Sequence, residues 1–212
     1  MKISTVLKTL LGAGAVTLPL MVSAESNVQT GAATASPGAT AHVDFSIVIP
    51  KILYLRVGSG SAYASGTLAS ANTIDLITFS PAAGTVGNGT PVAGTGGDLT
   101  GGVETAAIVS NSGNVTLNAT AGGALGDGNG DTIPFTQITT AATTLTSGTP
   151  LPAPVLTNGT SSNVVLTAPA TKLIVQDAKW TYSYANAANV PAGTYGGVNT
   201  NNSRVTYTAT MP

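Results

Sequence analysis

The stretch SRVTYTATMP, residues 203–212, closes the chain. Val205, Tyr207, Ala209 and Met211 alternate with Arg204, Thr206, Thr208 and Thr210. Successive side chains of a strand point to opposite faces, so this is the period of a half-buried β-strand. Chain ends fray unless something pairs with them. The strand is therefore expected to have a partner, in its own sheet or on another molecule. Within the chain that partner is expected to be KWTYSY, residues 179–184, with Tyr207 and Met211 closing the core.

Working outward, the same short alternation recurs between clusters of Gly, Pro, Asn and Thr, while helical periodicity is missing outside the first two dozen residues. KILYLRV (51–57) is apolar on both faces and is expected deep in a sheet. TIDLITF (73–79) reads as a further strand, and VETAAIVS (103–110) with NVTLNAT (114–120) as a hairpin turned by NSGN. TIPFTQIT (132–139) is an edge segment, because Pro134 lacks a donor. NVVLTA (163–168) and KLIVQDAKWTYSY (172–184) complete the set. The expected fold is all-β, an immunoglobulin-like or jelly-roll sandwich of about nine to ten strands.

HVDFSIVIP (42–50) places Val43, Phe45, Ile47 and Ile49 at period two before Pro50 interrupts it. Two readings stay open: an ordinary first strand, or an assembly strand whose apolar side chains fill successive pockets of another molecule.

Lys2 and Lys8 give a positive start to TLLGAGAVTLPLMV, and with VSA at 22–24 they fit an export signal over residues 1–24. Residues 25–40 are small and polar, a flexible leader, and 41–212 form one β-sandwich domain. The product is expected to be secreted, outside the cell or at its surface, or else periplasmic. After removal of the signal, five cations (Lys51, Arg56, Lys172, Lys179, Arg204) face eight acids. That balance argues against nucleic acid or anionic membrane as a partner, since both demand clustered Lys and Arg. Only 7% of residues are charged while 42% are hydrophobic, so the surface is built from Thr, Ser, Asn and Gly. Such a surface tolerates close packing against copies of itself. The chain has no cysteine, which excludes disulfides, thiolate metal sites and cysteine catalysis.

His42 and Asp44 share one strand face, yet no G-x-S-x-G elbow accompanies them. Asp44, Asp75, Asp98, Glu104 and Asp177 are scattered singly rather than paired for acid–base work. An enzyme is not expected, nor a cofactor. Asp127, Asn129 and Asp131 in GDGNGDT stand at alternating positions, as in the opening of a calcium loop. The twelfth position is Ile138, not the bidentate Glu, and Asp-Gly and Asn-Gly are ordinary turn formers. Trp180, Tyr182 and Tyr184 form one stripe, either the centre of a sandwich core or a platform for sugar rings; the core is the favoured reading.

IPKILYLRVG, WTYSYAN and VPAGTYGG with RVTYTATMP resemble a group of small secreted β-sandwich proteins of Gram-negative bacteria. The closing stretch is also similar to the ends of fimbrial and other surface subunits. That resemblance implies an exported structural protein, a self-associating fibre or fimbria-like subunit whose partners are copies of itself or other cell-surface proteins. The alternative is an extracellular module that binds carbohydrate or another surface ligand through its loops.

Overall fold

The computed structural model describes residues 26–33, 38–60, 68–146 and 148–212. The export signal proposed for residues 1–24 lies outside them. The chain divides into two compact units, Met1–Ile49 and Pro50–Pro212. In the first, every described residue is exposed and none belongs to a strand. HVDFSIVIP is thus not a strand of this fold, although its alternation has the right period. Pro50 ends it, and its apolar side chains find no covering layer: Phe45 is 89% exposed and Ile47 86%.

The second unit is all-β. Its strands are β1 (Leu53–Val57), β2 (Ile77–Thr78), β3 (Val92–Ala93), β4 (Thr95–Gly96), β5 (Val103–Ser110), β6 (Val115–Ala121), β7 (Leu125–Gly126), β8 (Thr132–Ile133), β9 (Ile138–Thr143), β10 (Val164–Leu166), β11 (Ile174–Tyr184) and β12 (Val205–Thr210). The larger sheet runs β1-β5-β11, with β3 and β9 both pairing β11; the smaller runs β10-β6-β12, and all pairings are antiparallel. β2 with β4 and β7 with β8 form separate two-stranded pieces.

Register puts the apolar phase of each strand inside. Leu53, Leu55 and Val57 stand opposite Ser110, Ile108 and Ala106, which in turn face Ile174, Gln176 and Ala178. In the facing sheet, Val115, Leu117, Ala119 and Ala121 are buried, with Ala209, Tyr207 and Val205 opposite the last three. The Trp180 indole is fully buried, donates through Nε1 to the Leu151 carbonyl at 2.8 Å, and packs on the Tyr207 ring with centroids 5.3 Å apart. Large apolar side chains of this kind each contribute about 1.5–3 kcal/mol of burial free energy, so they dominate the core.

Three expectations are corrected. β5 and β6 are not a hairpin: they belong to different sheets, and residues 111–114 carry the chain across the sandwich. The alternation in both strands is the same whether they pair or face each other, which is why the pattern could not decide. β12 pairs β6 rather than the aromatic strand, although Tyr207 still meets Trp180 and Tyr182 from the opposite layer. β1 is an edge strand, half-buried along its whole length, not a central one.

One loop owes its shape to a single residue. Asn186, 1% exposed with φ +51°, accepts from the Gly87 N–H at 2.8 Å and directs its amide at the Thr85 carbonyl, Asn88 Oδ1 and the Thr90 carbonyl (2.7, 3.2 and 3.4 Å).

Candidate functional site

The two long sides of the sandwich are finished differently. On the side of β9 and β10, the segment 148–161 stitches the sheets together. Leu151 N–H bonds the Asp177 carbonyl of β11, and ten residues on, Ser161 N–H bonds the Ala119 carbonyl of β6. The segment's Leu151 and Leu156 are buried, as is Phe135. On the other side, β1 and β12 approach one another as the last strands of their sheets. Among the described residues, neither has a second ladder partner.

That open side is apolar within. Leu53, Leu55 and Val57 of β1, and Val205, Tyr207 and Ala209 of β12 with Met211 beyond it, pack on the core but remain half-buried. Outward, β12 shows Thr206, Thr208 and Thr210. Backbone N–H and C=O groups along a free edge are strong hydrogen-bonding groups and a template for another strand. The C-terminal strand residues Val205, Tyr207, Ala209 and Met211 are therefore brought together with β1, whose part the sequence reading missed. The candidate assembly residues Val43, Phe45, Ile47 and Ile49 are 70%, 89%, 86% and 75% exposed.

At the C-terminal end of β1 lies a cluster of charged groups that the scattered sequence positions concealed. Arg56 Nη2 donates to Asp98 Oδ2 at 2.9 Å and its Nε to the Gly58 carbonyl at 2.8 Å. Asp98 Oδ1 accepts from the Thr105 N–H at 2.7 Å, and the Asp98 N–H donates to Glu104 Oε2 at 3.2 Å. Asp75 accepts from the Ser59 N–H and, at 2.8 Å, from its hydroxyl. Burial raises the Glu104 carboxyl from 4.5 to about 8; the Asp98 N–H works against this, and the charges of Asp75 and Asp98 reinforce it. One signal in the sequence could have found it: Glu104 is in phase with Ala106 and Ile108, a carboxyl at a core position of an alternating strand.

Nearby, the Tyr182 and Tyr207 hydroxyls bond at 2.8 Å. Burial pushes the Tyr207 phenol up to about 12 and raises Tyr182 as well. Both stay neutral at ordinary pH. Trp180, Tyr182 and Tyr184 are all buried, so the aromatic stripe is core rather than a sugar platform.

Asp127, Asn129 and Asp131 sit together on an exposed turn joining β7 to β8. Asp127 Oδ1 accepts from the N–H groups of Asn129 (2.8 Å) and Asp131 (3.1 Å), and Oδ2 from the Asn129 amide at 3.2 Å. These bonds, the Asn129 N–H foremost, hold its carboxyl below the usual range. The carboxylate thereby caps the turn. No group of three His, Cys, Asp or Glu among the described residues is arranged to hold a metal ion. His42 and Asp44 lie in the exposed first unit. A small polar cleft is lined by Gly122, Asn199, Asn201, Asn202, Ser203 and Arg204, with Thr200 beside them. No helix among the described residues is long and apolar enough to cross a membrane.

No family model, curated protein or solved structure matches the chain.

Proposed function

We propose that this is an exported structural protein that associates with copies of itself, the segment Val43–Ile49 of one copy adding a strand along the edge that β1 and β12 form on the next. One observation supports this above all: an exposed run of four large apolar side chains at strand period coexists with a sandwich edge whose apolar face is half-open. The lengths agree, seven residues against the six of β12. Burying four such side chains is worth about 6–12 kcal/mol. Association costs roughly 4–15 kcal/mol in lost freedom. Side-chain burial alone is thus marginal, and the main-chain bonds of an added strand are needed to tip the balance. The low charge of the chain favours such packing, and its resemblance to secreted and fimbrial sandwiches points the same way.

The test is sedimentation and negative-stain microscopy of the full chain beside its Phe45→Asp/Ile47→Asp variant. Multimers in the parent, with a monomeric and equally stable variant, are expected. A parent that is monomeric across concentrations overturns the proposal. A second reading, a carbohydrate-binding module, is favoured only by the polar cleft at 199–204, where amides and the Arg204 guanidinium could meet hydroxyl or carboxylate groups. Chemical-shift changes confined to those residues on adding glycans would support it.

A further inference from the structure

Glu104, Ala106, Ile108 and Ser110 share one face of β5, turned to the interior, and Glu104 stands opposite Trp180. Glu104 is 4% exposed. The groups facing it are Asp75 before β2, Asp98 after β4 with its partner Arg56 on β1, and the hydroxyl pair of Tyr182 on β11 and Tyr207 on β12. Gly58, at φ +83°, has no Cβ, and the Asp75 and Glu104 oxygens close on the space a Cβ would fill. Its N–H bonds the Thr105 carbonyl at 2.8 Å, fixing the end of β1 to β5. Arg56 is spoken for by Asp98, and Asp75 is held by Ser59, so Glu104 is the member of the cluster left to remain neutral.

We propose that the protonated Glu104 carboxyl is an acid-fastened latch holding the C-terminal end of β1 to the turns that carry Asp75 and Asp98. Charging it in place would set a third carboxylate, buried, beside two others, which is strongly unfavourable. As pH rises, the open form, in which Glu104 reaches water and ionises, gains on the closed one. The gain begins near the carboxyl's ordinary value and levels off once the closed form ionises too, at about 8. Since β1 borders the edge assigned above to self-association, the latch regulates how readily that edge opens; this consequence rests on that reading, the latch itself does not.

The experiment follows the Glu104 side-chain carboxyl by carbon NMR in the full chain. It also measures amide exchange at residues 53–58, corrected for intrinsic rates, at pH 5.5 and 7.5, in the parent and Glu104→Gln. The expected results are an inflection near pH 8 and a loss of protection of about a hundredfold in the parent, tenfold per pH unit for one linked proton. In the variant, protection is unchanged between the two pH values. A carboxyl titrating below pH 5, or an equal loss in both proteins, overturns the latch. If the variant does not fold, the parent's titration decides alone. Sedimentation of the same samples separates the two ideas: a monomer at every pH defeats self-association while leaving the latch to the NMR result.

Discussion

The side of the sandwich stitched by residues 148–161 and the side bounded by β1 and β12 are built from the same kinds of residue, yet among the described residues only the first is sealed. There Leu151 is fully buried, and its carbonyl receives the Trp180 indole N–H. On the second, Leu55 stands opposite the fully buried Ile108 but is itself only partly buried. What separates them, among the described residues, is chain that crosses from one sheet to the other. An edge without such a crossing keeps its apolar residues in contact with water, and the same chain offers a matching apolar segment elsewhere.

The comparison can be broken by mutation. Leu151→Ala should cost about 2–5 kcal/mol of unfolding free energy in urea titrations, because a cavity is left in a rigid site. Glu104→Gln should be the next largest, and pH-dependent. A carboxyl raised from 4.5 to about 8 on folding gives stability that is full below pH 4.5 and lost as pH climbs towards 8, by about 1.4 kcal/mol per unit. The variant should flatten that slope and be more stable than the parent at pH 8; a parent with no slope over this range contradicts the burial argument. Leu55→Ala, on the open side, should cost less, about 1–2 kcal/mol, because the side chain is only partly buried and its site can relax. Tyr207→Phe should also cost about 1 kcal/mol, the net worth of its bond to Tyr182. Phe45→Ala should change monomer stability by less than about 0.5 kcal/mol while weakening multimers seen in sedimentation. A Phe45→Ala loss as large as that of Leu151→Ala would mean the 43–49 segment belongs to the core.

Much of this architecture was legible before any coordinates. The phases of the aromatic half of β11 and of β12 matched their interior faces, since burial on one side of a pleat imposes period two. Pairing was not legible. Residues 111–114 could serve as a tight turn or a passage between sheets, and only the packing of Leu117 against the opposite layer distinguishes these. The same limit applied to Val43–Ile49, whose pattern describes a strand without saying whose sheet it joins. The acid cluster was hidden for another reason: Asp75, Asp98 and Glu104 come from separate turns and strands, and convergence of that kind leaves no local spacing to read.

The Asn186 amide has a consequence of its own. Its nitrogen faces three oxygens, the Thr85 and Thr90 carbonyls and Asn88 Oδ1, an arrangement that many loops reserve for a bound cation. Here the positive end of a side-chain dipole, delivered covalently from nearly a hundred residues away, takes that place. The loop's inward-facing oxygens are thus satisfied from within the polypeptide.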